Sequence, residues 1–126
     1  MLLAHAPAEV RTAVLERPLQ AWTPYTITDP EVLRSTLAEV RRTGVAISSR
    51  QVTEDALSVA CPVVGPGGDV VAALSVVVRY GSLSPQALVP AVRAAGNGIS
   101  RALGAGSRDG RLGHALPPAG RDVARA

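Results

Sequence analysis

The chain has 126 residues, 47% of them hydrophobic and only 2% aromatic, so it holds at most one ordinary domain with a core of small aliphatic side chains. All 13 basic residues are arginines, and four of them lie within residues 105–126, so the net charge of +3 belongs mostly to the C-terminal end. The rest of the chain is nearly neutral, which excludes the one-sided basic field of a nucleic-acid-binding surface.

The first predicted helix covers about Ala6–Glu16, where Pro7 suits a first turn. A loop over Arg17–Ile27 follows it, and we expect Trp22 and Tyr25 to anchor this loop because they are its two large aromatic side chains.

The second predicted helix begins at Thr28-Asp29-Pro30-Glu31 and ends at Gly44. Its start fits two capping schemes. In one, Thr28 is the N-cap and Glu31 is at N3; in the other, Asp29 is the N-cap and Pro30 is at N1.

A β-hairpin is predicted next, after a short strand over Val45–Ser48. Two Val-rich runs, Leu57–Val64 and Val70–Val78, flank the connector Gly65–Asp69. The second run is apolar at almost every position, so we expect both of its faces to be covered. Ser75 is the exception, because a buried hydroxyl needs a hydrogen-bond partner.

The turn of this hairpin decides which residues lie opposite each other. A two-residue Pro66-Gly67 turn would place Ser58 opposite Ser75, whereas a one-residue slip or a bulge at Gly68 would change the pairing. The hairpin predicts a shared site only if Ser58 and Ser75 lie on one face of the sheet.

The third predicted helix runs from Ser84-Pro85 to about Leu103 and contains Pro90 and two glycines, Gly96 and Gly98. Glycine in a helix interior costs about 1 kcal/mol, which is tolerable where the helix lies close against a sheet. Residues 105–126 show no periodicity and are predicted to form a disordered tail.

Three segments in a fixed order carry a family resemblance. They are TPYTITDPEVLRSTLAEVRRTGVAIS from Thr23, then ALSVACPVVGPGGDVVAALSV from Ala56, then a closing helix that ends in ISRALG at Gly104. Together, from about Leu2 to Gly104, they resemble the C-terminal effector-binding domain of IclR-type bacterial transcriptional regulators.

The resemblance implies an α/β (α+β) fold of the GAF/PAS-like kind, an antiparallel sheet flanked by helices. Residues 1–104 would then be the C-terminal part of an effector-binding domain, a partial domain that lacks the family's first strands. Family members also associate as homodimers or tetramers and bind DNA through a winged helix-turn-helix, which is absent from this chain. A truncation or a misplaced start codon would explain Met1.

The resemblance also points to an effector site. Members that bind small oxo-acids use an Asp after one strand, a Cys opening the next, and two Ser in an A-x-S-x-S pattern. The matching positions here are Ser48, Ser58, Ser75 and Val77, so only Ser75 keeps the family residue. The loss of an acid and of a hydroxyl implies a less polar small organic effector, such as an aromatic or branched carboxylate. The alternative is that Ser58 and Ser75 only bond neighbouring carbonyls.

Three functional hypotheses follow: an effector-sensing and oligomerising module of a regulator, an enzyme, and a purely structural dimerisation domain with a collapsed pocket. The sequence has no Ser–His pair, metal cluster or carboxylate dyad, which disfavours the enzyme.

We expect no cofactor and no metal, since His5 and His114 are too far apart in the chain. Cys61, the single cysteine, is expected to be an inert core residue. The lack of a signal peptide or spanning segment predicts a cytoplasmic protein without membrane partners.

Overall fold

The computed structural model describes residues 1–106, so the predicted tail lies outside the described residues from position 107 onward. The described residues form an α+β fold with one three-stranded antiparallel sheet. The elements in chain order are α1 (Leu2–His5), α2 (Ala8–Leu15), α3 (Pro30–Thr43), β1 (Ala46–Ser49), β2 (Ala56–Val64), β3 (Val70–Arg79) and α4 (Pro85–Ala102).

The helix predicted over about Ala6–Glu16 is present as α2, Ala8–Leu15, but the separate short helix α1, Leu2–His5, was not predicted. Ala6 ends α1 in an extended conformation, with φ −66° and ψ 159°. A residue that precedes proline is pushed toward this region by the proline ring. Pro7 is therefore the N-cap of α2 rather than part of its first turn.

The start of α3 follows the second of the two capping schemes. The Asp29 carboxylate accepts hydrogen bonds from the backbone N–H of Glu31 at 2.7 Å and of Val32 at 3.3 Å, and Pro30 occupies the first helical position. Gly44 ends the helix with a left-handed φ of 68°, as predicted. Leu37 and Val40 of α3 enclose Ala4 in a small cluster against which Ala46 of β1 packs.

The strand order is β1-β2-β3, and the hairpin prediction is confirmed while its register is not. Ser58 lies opposite Val77, and Ser75 lies opposite Ala60. The turn contains three residues, because the Gly65 N–H donates to the Asp69 carbonyl at 2.9 Å and Gly68 has φ 88°. An additional bulge sets Val64 against Val70.

Strand β2 alternates strictly between two environments. Its odd-numbered residues, Leu57 to Val63, are buried, whereas its even-numbered residues are half-buried. We call the surface with the odd-numbered β2 residues the helix face, because α4 covers it, and the opposite surface the cavity face. Directly opposed residues of antiparallel strands point to the same side, so Ser48, Ser58, Ser75 and Val77 all belong to the cavity face.

Helix α4 lies unusually close to β2. A Cβ added to Gly96 would sit 2.3 Å from the Cys61 Sγ atom, so only glycine fits at this position without a shift. One turn on, the Ser100 hydroxyl accepts from the Val64 N–H at 2.9 Å and donates to the Gly96 carbonyl at 2.8 Å. The prediction that helix glycines allow close approach is therefore confirmed for Gly96, but Gly98 has open space around it.

The expectation that both faces of β3 are covered was wrong for the described residues. On the cavity face Ser75 is exposed, and Val77 retains 64% of its accessible surface. Leu74 and Val76, on the helix face, pack against the core of Val59, Cys61 and Val92.

Candidate functional site

Three of the four predicted site residues form a straight row across the sheet. Ser48 of β1 is the direct partner of Ser58 in β2, and Ser58 is the direct partner of Val77 in β3. Side chains of directly opposed residues have Cβ atoms about 4.5–5.5 Å apart. The row therefore presents two neighbouring hydroxyls and one isopropyl group on the cavity face.

This row borders a cavity of about 250 Å³. The other walls come from the loop between β1 and β2 and from the start of β2. The complete lining is Ser48, Gln51, Val52, Thr53, Ala56, Ser58 and Val77. It contains hydroxyl and amide groups that can donate and accept hydrogen bonds, together with aliphatic surface, and no ionisable side chain.

The hydroxyls of Ser48 and Ser58 differ from several other hydroxyls of the described residues. Other hydroxyls of the fold are bonded to backbone carbonyls, as in Thr23, Thr26 and Ser82. Within residues 1–106 we find no such bond for Ser48 or Ser58. Ser58 and Ser75 therefore show no bond to a neighbouring carbonyl within the described residues, and their role in ligand binding stays a prediction.

Ser75 lies one row away from this cavity. It is on the same face as Ser58, but its direct partner is Ala60. Ser75 instead borders a second cavity of about 270 Å³ between the outer edge of β3 and α4, lined by Leu74, Ser75, Val76, Leu88, Ala91, Val92 and Ala95. The one position that keeps the family residue is thus separated from the other three.

The loop between β1 and β2, residues 50–55, was not among the predicted site residues, although it supplies Gln51, Val52 and Thr53 to the lining. Two threonines hold it in place. The Thr23 hydroxyl donates to the Arg50 carbonyl at 2.6 Å, and the Thr26 hydroxyl donates to the Gln51 carbonyl at 2.6 Å. The polar character of this loop, directly between two strands that carry site positions, was the available sequence signal.

These threonines anchor the loop over residues 17–27 through their two hydrogen bonds. Trp22 retains 65% of its accessible surface, so its predicted anchoring role was wrong. Tyr25 is also exposed, but its ring contacts the Arg50 guanidinium, with 3.8 Å between the Cζ atom and the ring centroid.

Arg50 has two unusual features. Its φ of 61° makes it the one residue other than glycine with a positive φ among residues 1–106. Its guanidinium also approaches the Tyr80 ring, at 4.9 Å, and its Nε donates to the Glu54 carbonyl at 3.0 Å. Arg50 thereby connects the loop over residues 17–27, the β1–β2 loop and the residue that follows β3.

The core beneath the cavity is inert. The Cys61 thiol is buried and donates to the Val92 carbonyl at 3.2 Å. Burial raises the pKa of this thiol, and the Gly96 backbone and Arg93 oppose that effect only in part. The interpretation of Cys61 as a core residue fits this environment, because a protonated buried thiol is a poor nucleophile.

A larger depression lies elsewhere, between α3, β1 and α4, and has a volume of about 530 Å³. It contains none of the predicted site residues, and its charged groups, Glu39 and Arg93, bond to Arg42 and to the Thr43 carbonyl. Among residues 1–106 no cluster of His, Cys, Asp and Glu is arranged to hold a metal ion. None of the described helices combines the length and apolarity needed to cross a membrane.

The family model for the bacterial transcriptional regulator IclR C-terminal domain matches residues 1–101. Among curated proteins, the uncharacterised HTH-type transcriptional regulator RhmR of Escherichia coli K12 is 38% identical over 77 residues. That match covers 60% of this chain and 30% of RhmR.

Solved structures agree in fold. An IclR homolog from Microbacterium hydrocarbonoxydans, complexed with 4-hydroxybenzoate, is 39% identical with a TM-score of 0.77. The match covers 81% of this chain and 42% of the homolog. An IclR homolog from Microbacterium sp. strain HM58-2 is 38% identical with a TM-score of 0.74. That match covers 87% of this chain and 44% of the homolog. The chain thus spans less than half the length of these relatives.

Proposed function

The chain belongs to the IclR family of bacterial transcriptional regulators, which are not enzymes, and from this premise we propose that its cavity face binds a small organic effector. The observation that carries the proposal is the row of Ser48, Ser58 and Val77 on a 250 Å³ cavity. These three positions were chosen from the family resemblance alone. In the structure they lie on three different strands and line the same cavity.

The lining favours a single-ring or branched carboxylate over a small oxo-acid. The Ser48 and Ser58 hydroxyls can donate to a carboxylate or accept from a phenol, and Val52 and Val77 offer aliphatic surface to a ring. The 4-hydroxybenzoate in the Microbacterium hydrocarbonoxydans relative is a compound of this kind. We therefore choose 4-hydroxybenzoate as the first probe.

In the whole regulator, effector binding in the cytoplasm would favour one arrangement of subunits in a homodimer or tetramer. That arrangement would change promoter binding by the helix-turn-helix of the whole regulator. Such coupling requires different effector affinities in the two arrangements.

Isothermal titration of the 126-residue chain with 4-hydroxybenzoate tests the site. Ser48→Ala and Ser58→Ala should each weaken binding about tenfold, because a hydrogen bond to a charged group contributes about 1.5–3 kcal/mol. Ser35→Ala is the matched control, since its hydroxyl lies on exposed α3 and bonds the Val32 carbonyl. Equal affinity in all four proteins would contradict the site.

A structural dimerisation domain with a collapsed pocket is the second candidate. The exposed apolar edge of β3, with Val71 at 58% and Val77 at 64% exposure, favours a protein–protein contact there. The cavities of about 250 and 270 Å³ argue against collapse. A stable dimer that binds none of a panel of aromatic and branched carboxylates would support this candidate instead.

A further inference from the structure

We propose that Arg50 is a positioning residue that fixes the β1–β2 loop as a wall of the effector cavity, acting through its contacts with Tyr25 and Tyr80. This inference rests on the proposed function, because the loop matters only if the cavity is used. Arg50 is not one of the residues that line the cavity. Its role is therefore to hold Gln51, Val52 and Thr53, which do line it.

The first step concerns the two rings. Arg50 Cζ lies 3.8 Å from the Tyr25 ring centroid and 4.9 Å from the Tyr80 ring centroid, both within the range of a cation–π contact. Tyr25 and Tyr80 are the only two tyrosines of the chain, and they come from segments 55 positions apart. One guanidinium thus ties two separate segments to the start of the loop.

The second step concerns the backbone around Arg50. The Arg50 carbonyl accepts from Thr23, the Arg50 N–H donates to the Ala56 carbonyl at 2.8 Å, and the Tyr80 N–H donates to the Asp55 carbonyl at 2.6 Å. Both ends of the loop are therefore bonded to neighbouring segments. We call this set of contacts around Arg50, Tyr25 and Tyr80 the arginine clasp.

The third step concerns the conformation of Arg50. A left-handed φ is unfavourable for a residue with a Cβ, and glycine would adopt it without strain. The backbone alone would thus favour glycine at position 50. An arginine held in this conformation indicates that its side-chain contacts maintain the loop, which is the pattern expected of a binding site prepared in advance.

Arg50→Gly tests the side-chain contacts alone, because it keeps the left-handed backbone and the backbone hydrogen bonds of the clasp but removes the contacts with Tyr25 and Tyr80. We expect amide hydrogen exchange at Ala56 and Tyr80, whose N–H groups bond the loop carbonyls of Thr53 and Asp55, to become at least about tenfold faster, while exchange at the centre of β2 stays unchanged. The affinity for 4-hydroxybenzoate should fall at least about fivefold. Arg50→Lys should recover part of both effects, since the ammonium still contacts an aromatic ring.

Tyr25→Leu and Tyr80→Leu should each produce a weaker form of the Arg50→Gly result. The matched control is Arg34→Gln, because Arg34 lies on exposed α3 and pairs only with Glu31. Its loop exchange and affinity should equal those of the unsubstituted chain. Each variant should be compared after its unfolding midpoint shows that it is folded at the working temperature.

The outcomes separate the two proposals. Unchanged exchange at Ala56 and Tyr80 in Arg50→Gly overturns the clasp, whether or not a ligand binds. Faster exchange with full retention of 4-hydroxybenzoate affinity also overturns it, because the loop would then be irrelevant to the cavity. If the unsubstituted chain binds no carboxylate of the panel, the effector-binding proposal is contradicted. Faster exchange in Arg50→Gly would then still show that Arg50 holds the loop.

Discussion

Ser58 lies directly opposite Val77 on the cavity face, so a hydroxyl group faces an isopropyl group at the centre of the proposed site. On its other side Ser58 is paired with Ser48. The polarity of the site therefore changes along one row, from two hydroxyls on β1 and β2 to an aliphatic group on β3.

Replacing the aliphatic end of this row should change ligand preference. Val77→Ser would add a third hydroxyl and should raise affinity for a small oxo-acid such as pyruvate, relative to 4-hydroxybenzoate, by about fivefold, the size of one net hydrogen bond. Titration with both ligands measures the ratio. Val71→Ser is the control, since Val71 is exposed on the same strand but lies at the bulge, outside the cavity lining. An equal change in both variants would contradict the role of Val77.

The two glycines of α4 should respond oppositely to alanine. Gly98→Ala should stabilise the fold by up to about 1 kcal/mol, because its nearest neighbour is the Arg101 guanidinium at 4.0 Å and alanine favours a helix. Gly96→Ala should destabilise it by about 1–3 kcal/mol, because the new methyl group overlaps the Cys61 Sγ atom. Urea unfolding of both variants gives the comparison.

A double-mutant cycle locates the cause of the Gly96→Ala effect. In the Cys61→Ala background, Gly96→Ala should cost markedly less than in the original chain, because the overlapping sulfur atom is gone. Strictly additive free energies would show that the helix backbone, and not Cys61, resists the added methyl group.

The buried thiol should make stability fall at alkaline pH. Burial raises the pKa of Cys61 in the folded state, so the folded chain keeps this proton to higher pH than the unfolded chain does. The contribution is present below about pH 8.5, the unfolded value, and is lost as the pH rises toward the folded-state pKa. Unfolding free energies between pH 7.5 and 10 should fall more steeply in the original chain than in Cys61→Ala. Parallel curves would contradict this linkage.

The N-cap of α3 offers a test of the local fold. Asp29→Ala should cost about 1 kcal/mol, because it removes the acceptor of two backbone N–H groups. Thr28→Ala should change the free energy of unfolding by less than about 0.5 kcal/mol, since Thr28 is not the cap. Asp29→Asn keeps a hydrogen-bond acceptor, so its loss of unfolding free energy should lie between the losses for Asp29→Ala and Thr28→Ala. A larger loss for Thr28→Ala would show that the helix starts one residue earlier in solution.

The hairpin shows what the sequence can predict and what it cannot. Strand positions follow from the Val-rich runs, but the register depends on turn geometry, where Gly68 at φ 88° adds one residue and the Val70–Val71 bulge adds another. The two additions move the pairing by two positions, from Ser58–Ser75 to Ser58–Val77. Because side chains alternate with period two, the residues of the predicted site remain on one face.

The partners of Ser48 and Arg50 lay beyond sequence reasoning for a different reason. The pairing of Ser48 with Ser58 depends on how a six-residue loop closes, and the loop depends on Thr23 and Thr26, more than 20 positions away. No local pattern encodes such contacts. The resemblance supplied the site positions, whereas the contacts that shape the cavity required coordinates.

The strict alternation of β2 bears on how such regulators diversify. Ser58 points to the cavity, and its chain neighbours Leu57 and Val59 point into the core under α4. A substitution at position 58, or at exposed position 77, therefore changes the cavity lining without disturbing the close approach of Gly96 to Cys61. On the proposed function, ligand preference could change through positions 58 and 77 of the neighbouring strands β2 and β3 while the packing of α4 on β2 stays the same.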